Sequence, residues 1–188
     1  MTENIRRWIE QGKPAPAPHD YKIQTIREFR AKFDIKIFVE TGTHVGSTVD
    51  QVRNDFDTVY SIELSDELFQ RCANRFVGIN NVHLYHGLSE ECLPVILDRV
   101  KDRALFWLDA HYSAENTAKG PTSSSLYKEL PAILNHPIIN HVILIDDTYD
   151  LFDADGYLSP DTIKKMILEK YPNYDVSIEG YIVRAIPQ

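Results

Sequence analysis

The spacing of apolar positions divides the chain in two. Within the first 34 residues Ile23, Ile26, Phe29 and Phe33 follow one another at steps of three and four, so Tyr21 to Phe33 reads as a helix with one buried stripe. An alternating stretch, Pro14-Ala15-Pro16-Ala17-Pro18, cannot continue a helix and sets this element apart from a short amphipathic start, Met1 to Lys13. Beyond residue 34 the pattern changes to short runs rich in β-branched and aromatic side chains: Ile35 to Glu40, Thr58 to Glu63, Val82 to His86, Ala104 to Asp109 and His141 to Asp146. Helical stretches near Thr48–Asn54, Asp66–Phe76, Glu90–Lys101 and Ser125–Leu134 alternate with them. Strand and helix in alternation predict a doubly wound parallel sheet, and runs that are apolar on both faces suit strands covered by helices on each side. Ser159-Pro160-Asp161 reads as the capped start of a last helix through Lys170. Tyr174–Glu179 and Tyr181–Ala185 then flank Gly180 too closely for a crossover helix, which predicts an antiparallel hairpin. The expected architecture is an α/β fold with a mostly parallel seven-stranded sheet and a C-terminal hairpin. Residues 1–34 are expected as an N-terminal helical segment with a proline-rich link, and residues 35–188 as one globular unit.

Composition narrows the partners. The 188 residues carry 20 Lys plus Arg against 28 Asp plus Glu, a net charge of −8, so the clustered basic surface that phosphate neutralisation needs is missing and nucleic acid is disfavoured. No apolar run approaches the length of a membrane span, and the polar start lacks the apolar stretch of a secretory signal. Cys72 and Cys92 show neither a disulfide framework nor zinc-ligand spacing, which fits the reducing cytoplasm. A small molecule or glycan is the expected partner. The Met1–Lys13 segment is a candidate cover for the site or contact for a homodimer.

In such sheets ligands bind beyond the carboxyl ends of the strands. The first run ends Val39-Glu40-Thr41-Gly42-Thr43-His44-Val45-Gly46-Ser47-Thr48, where Gly42 and Gly46 permit a tight turn and Ser47 or Thr48 can cap the next helix. The dinucleotide fingerprint is absent, because His44 stands where its second glycine belongs. Glu40 places a negative charge there, which suits an amino group or a sulfonium better than a pyrophosphate. Glu63, ending the second run, is placed to accept hydrogen bonds from ribose hydroxyls. After the third run Gly87 gives a turn, and Ser89 either reaches an adenine amine or caps a helix beginning at Glu90. Asp109 after the fourth run, with Asp146 and Asp147 after the fifth, would converge on the same edge. Three carboxylates there repel one another unless protonated or bridged by a cation, and a hard divalent ion such as magnesium is the simplest bridge. His111, two positions after Asp109, is a candidate general base, with ligating an ion or bonding a carbonyl as its alternatives. The polar stretch from Tyr112 to Leu126 is long for a strand-to-helix link and suits a lid or an acceptor-binding loop, with Lys119 and Tyr112 as candidate contacts.

The sequence Glu-x-Gly-Thr-x-x-Gly-Ser after the first strand, the acid after the second and the terminal hairpin resemble the class I S-adenosylmethionine-dependent methyltransferases over roughly residues 35 to 186. The resemblance implies S-adenosylmethionine as cofactor. Glu40, Gly42, Thr43, Gly46, Ser47 and Thr48 would then line its methionine side, Glu63 its ribose, and Gly87, Leu88 and Ser89 its adenine. The Asp after strand four and the Asp-Asp pair after strand five resemble the metal-dependent, macrocin-type sugar O-methyltransferases, which implies Asp109, Asp146 and Asp147 as metal ligands and Asp109 with His111 as catalytic groups. A more local likeness, Leu-Asp-Ala-His-Tyr-Ser and His141-Val-Ile-Leu-Ile-Asp-Asp147, is to a group of bacterial methyltransferase-like proteins. The expected activity is metal-assisted methyl transfer to a hydroxyl of a sugar-derived or other small polar metabolite. The alternatives are a metal-dependent hydrolase or hydroxylase on the same fold, and a non-catalytic nucleoside-binding module.

Overall fold

The structure is a computed structural model that describes residues 1–109, 123–150 and 152–188. Its strands are β1 (Ile37–Thr41), β2 (Thr58–Glu63), β3 (Val82–His86), β4 (Ala104–Leu108), β5 (Val142–Ile145), β6 (Tyr174–Glu179) and β7 (Ile182–Pro187). The helices are α1 (Glu3–Glu10), α2 (His19–Lys32), α3 (Ser47–Val52), α4 (Asp66–Arg75), α5 (Ser89–Leu97), α6 (Leu126–Leu134) and α7 (Pro160–Lys170). The sheet order is β3-β2-β1-β4-β5-β7-β6, with β1 to β5 parallel and β7 antiparallel to both of its neighbours. This is the seven-stranded sheet with a terminal hairpin that the hydrophobic pattern predicts. Gly180 and Tyr181 turn the hairpin with φ of 59° and 63°, the two successive positive values a two-residue loop between twisted strands requires. A side chain at Gly180 would run into the ring of Tyr21, so the turn also seats itself on α2.

Alternate side chains of the central strands feed two separate cores. Phe38, Val59, Leu105, Trp107, Val142 and Leu144 pack beneath α2, α3 and α4, where Ile23, Ile26 and Phe29 supply the stripe of α2. Val39, Ile62, Phe106, Leu108, Ile143 and Ile145 pack beneath α5, α6 and α7. Since side chains alternate, the polar residues that end the strands are also dealt to the two faces. Local chemistry fixes the helix starts. Ser65 accepts from the Leu68 N–H at the head of α4, and Ser159 accepts from the Thr162 N–H with Pro160 opening α7. On α1, Ile5 and Trp8 are buried, with the Trp8 ring 4.8 Å from that of Tyr21.

Several element boundaries shift by a residue or two from the sequence expectation, and α3 starts after Gly46 with no side-chain cap, so neither Ser47 nor Thr48 caps it; α5 shifts most. The helix α5 ends at Leu97 rather than Lys101, where the Arg99 and Val100 N–H groups tighten onto the carbonyls of Ile96 and Leu97 three residues back and Val100 is buried. It also begins at Ser89, with Leu88 in the cap position. Ser89 is therefore inside the helix, and its hydroxyl turns to Glu129 instead of capping. Among the described residues no helix is long and apolar enough to cross a membrane.

Candidate active site

Strand register assembles the acidic edge. Glu40 pairs laterally with Ser61 and Trp107, the Asp109 N–H reaches back 3.1 Å to the Thr41 carbonyl, and the Asp146 N–H lies 3.1 Å from the Leu108 carbonyl. Glu40, Glu63, Asp109, Asp146 and Asp147 thus end neighbouring parallel strands at one carboxyl edge. Alternation puts Glu40, Ser61, Glu63, Asp109 and Asp146 on the face covered by α2, α3 and α4, and Thr41 on the opposite face.

Glu40 is the deepest of these acids, 1% exposed, and receives the Ser61 hydroxyl at 2.5 Å and the Thr48 hydroxyl as well. Burial pushes its pKa up to about 8, helped by the charges of Asp109 and Glu63 and opposed by those two hydroxyls. The Thr43 hydroxyl lies 2.6 Å from that of Ser61, which extends the chain of hydroxyls out to the glycine loop. Glu63 holds the loop itself: one oxygen accepts the His44 N–H at 2.6 Å and the other the Ser65 N–H at 2.8 Å. Each of its oxygens keeps a further lone pair for a ligand. His44 adopts φ of 51°, so a residue with a Cβ carries out the left-handed turn usually left to glycine. Gly46, at φ of 76°, could not be replaced so easily, because a Cβ there would meet Phe76 at 2.9 Å. Gly87 turns the chain after β3 at φ of 143°, and its N–H bonds the Glu63 carbonyl at 3.0 Å. Leu88 is half-buried beside it.

Asp109, Asp146 and Asp147 come together so closely that one carboxylate oxygen of each lies within 4.8 Å of the others. Asp147 holds a left-handed backbone, φ 53°, while its N–H bonds the Asp146 Oδ1 at 2.8 Å. The ammonium of Lys22, from α2, sits 2.5 Å from Asp146 Oδ2 and 3.1 Å from Asp147 Oδ1. Burial and the charge of Asp109 raise the pKa of Asp146, and Lys22 opposes that rise. Burial also works against the charge on Lys22, but the carboxylates of Asp146, Asp109 and Asp147 outweigh it and its pKa rises. One turn earlier on α2, His19 is held below its ordinary range by burial and by Lys22, with Asp20 and Asp109 pulling the other way, and its Nε2 finds no hydrogen-bond partner among the described residues. His111, Tyr112 and Lys119 lie outside the described residues.

Sequence reasoning missed three members of this edge: Lys22, His19 and Glu129. Glu129, on α6, is 1% exposed, accepts the Thr41 hydroxyl at 3.3 Å and the Ser89 hydroxyl, and leaves Oε1 without a partner among the described residues. Burial pushes its pKa up to about 7. The signal for Lys22 and Glu129 was present. Lys22 falls on the same four-three-four spacing as Ile26, Phe29 and Phe33, and Glu129 lies between Leu126 and Ile133 on the buried stripe of α6. A charged residue on an apolar stripe needs a partner in the fold.

The chain matches no protein-family model and no curated protein. Among solved structures it is similar to a Staphylococcus aureus protein assigned as a caffeoyl-CoA O-methyltransferase, at 18% identity and a TM-score of 0.63 over 100% of this chain and 93% of that one. It is also similar to the methyltransferase PaMTH1 of Podospora anserina, bound to S-adenosylhomocysteine, at 14% identity, a TM-score of 0.61, and 100% and 89% coverage. A third similar structure is the O-methyltransferase TomG of Streptomyces achromogenes in complex with S-adenosylmethionine, at 11% identity, a TM-score of 0.61, and 100% and 91% coverage. Sheet order, hairpin and full-length superposition agree, and the chain has the Rossmann-like fold of the class I S-adenosylmethionine-dependent methyltransferases.

Proposed function

We propose that the protein is an S-adenosylmethionine-dependent O-methyltransferase acting on a hydroxyl of a small polar acceptor, with sugar-derived compounds as the class that its aspartate pattern resembles. The observation that carries this reading is the convergence of Glu40 and Glu63 with Asp109, Asp146 and Asp147 on one carboxyl edge of a methyltransferase-type sheet. The donor chemistry fits the cofactor. Glu63 offers two fixed oxygens to a ribose diol, and the buried Glu40 offers a counter-charge to a cationic ligand, with Thr48 and Ser61 to hold its ionised form. Gly42, Thr43, Gly46 and Ser47 form the turn that passes beside the ligand, while Gly87, Leu88 and Ser89 border its adenine side. Bound there, the cofactor supplies an electrophilic methyl group.

The rest falls to the chain. Asp109, Asp146 and Asp147 bring oxygen donors close enough for one hard cation, and such an ion would stabilise negative charge on the acceptor oxygen. His111 is the proposed base, because it follows Asp109 by two residues in sequence and a neutral imidazole accepts a proton near pH 7. Orientation of acceptor and methyl group within one crevice contributes most of the acceleration. The unpaired Cys72 and Cys92 suit a reducing compartment such as the cytoplasm. Native mass spectrometry of the purified chain with added S-adenosylmethionine tests the reading: one adduct per chain is expected, and the absence of any adduct at millimolar cofactor would overturn it.

A further inference from the structure

We propose that Lys22 is the resident cation of the acidic edge, so that its ammonium and a divalent metal ion are alternative occupants of the same aspartate oxygens. This deepens the functional reading and rests on it in taking that edge as the active site. The competition itself follows from geometry. The ammonium is 2.5 Å from Asp146 Oδ2 and 3.1 Å from Asp147 Oδ1, with the Lys22 side chain 16% exposed and that of Asp146 fully buried. A divalent ion would need those oxygens at about 2.0 to 2.6 Å. Because one oxygen of each aspartate lies within 4.8 Å of the others and Lys22 already contacts two of the three residues, the ion would compete for the space the ammonium holds. Two positive groups cannot share it, since both are short of water and repel at contact distance.

Lys22 is not a loose surface lysine that drifts aside. Its neighbours Ile23, Ile26 and Phe29 anchor α2 in the core, and the preceding residue, Tyr21, accepts from Arg184 at 2.7 Å and packs on the hairpin turn at Gly180. The stem of Lys22 therefore leaves a fixed point, and a metal ion gains the three carboxylates only by expelling a group whose backbone cannot follow. The consequence is an edge partly compensated by Lys22, with divalent affinity set by a residue of the N-terminal segment that contributes no ligand atom.

Manganese binding, read from the free-ion signal in electron paramagnetic resonance, tests this on the full chain. The Lys22→Met variant should bind one Mn²⁺ at least tenfold more tightly than the wild type, and adding Asp146→Asn should abolish the gain. Equal affinity in wild type and Lys22→Met would overturn the proposal, as would a gain that survives Asp146→Asn. Lys22→Gln, which keeps a polar tip, takes the place of the methionine variant if that one does not fold. S-adenosylhomocysteine binding measured on the same samples separates the two readings. A chain that binds no nucleoside but shows the Mn²⁺ gain defeats the functional proposal alone, and a chain that binds the nucleoside without the gain defeats only this inference.

Discussion

The two ends of the central strands bury ionisable groups to similar depth and treat them in opposite ways. At the amino ends, His141 precedes β5 and packs beside His136. Its Nδ1 accepts the Ala104 N–H at 3.0 Å, so its Nε2 carries the proton and donates to His136 Nδ1 at 3.0 Å, leaving His136 Nε2 to donate to the Leu97 carbonyl at 3.0 Å. Tyr174 closes the cluster through the His141 carbonyl. Every ring nitrogen in that chain is used, and burial drives the His141 pKa down to about 4. At the carboxyl ends, Glu40 and Asp146 each lie beside the charge of Asp109 on one face and Glu129 is buried on the other, burial pushes each pKa upward, and among the described residues Glu129 Oε1 finds no hydrogen-bond partner. Complete satisfaction marks a scaffold, whereas crowding with unspent hydrogen-bonding capacity marks a place built for something else to bind.

The largest expected effect comes from breaking the compensation at the carboxyl edge. Asp146→Ala removes the nearer of the two carboxylates on the part-buried Lys22 ammonium, leaving it Asp147 at 3.1 Å, and should cost about 3 kcal/mol in urea unfolding. Asp66→Ala, removing an acid that is 94% exposed beside His86, should change stability by no more than about 0.5 kcal/mol. Equal losses in the two variants would erase the contrast between buried and surface pairs.

The histidine cluster comes next. Because the folded pKa of His141 lies below its unfolded value of about 6.5, the unfolded chain takes up a proton first as pH falls. Stability should drop by about 3 kcal/mol between pH 6.5 and 4, and His141→Asn, which keeps an acceptor for Ala104, should flatten that limb. The carboxyl edge has the opposite sign. Glu40 and Glu129 titrate higher in the fold than in the unfolded chain, so their contribution is present below about pH 4.5 and is lost as pH rises through about 8 and about 7. Glu40→Gln or Glu129→Gln should recover on the order of 2 kcal/mol at pH 8 and little at pH 4. Thermal melts across pH follow both limbs, and a wild type most stable at pH 8 would contradict the assignment. The smallest effect is local. His44→Gly relieves the left-handed backbone but loosens the unfolded chain, for a net gain of about 0.5 kcal/mol, or a degree or two in Tm.

The fold was legible because its signals are local. Each strand run carries its own apolar pattern, and Ser159 and Pro160 mark a helix start within a turn of where they act. Glu40, Glu63 and the aspartates were legible as positions, since a parallel sheet delivers all its strand ends to one edge. The occupant of that edge was not. Lys22 meets Asp147 across 125 positions of sequence, and no spacing rule connects a residue on the second helix with the end of the fifth strand. Glu129 was hidden for a similar reason: its partners Thr41 and Ser89 come from two other elements, brought together only when α5 and α6 cover the same face. Sequence reasoning found the excess negative charge but not the Lys22 ammonium that the fold places against it.

The central claim, that the carboxyl edge is a nucleoside-cofactor site held by Glu63, is tested most directly by isothermal titration of S-adenosylhomocysteine into the wild type and Glu63→Ala side by side. One site per chain is predicted in the wild type, weakened at least tenfold in the variant while Asp66→Ala binds normally. Undetectable binding to the wild type, or equal affinity in Glu63→Ala, would contradict it.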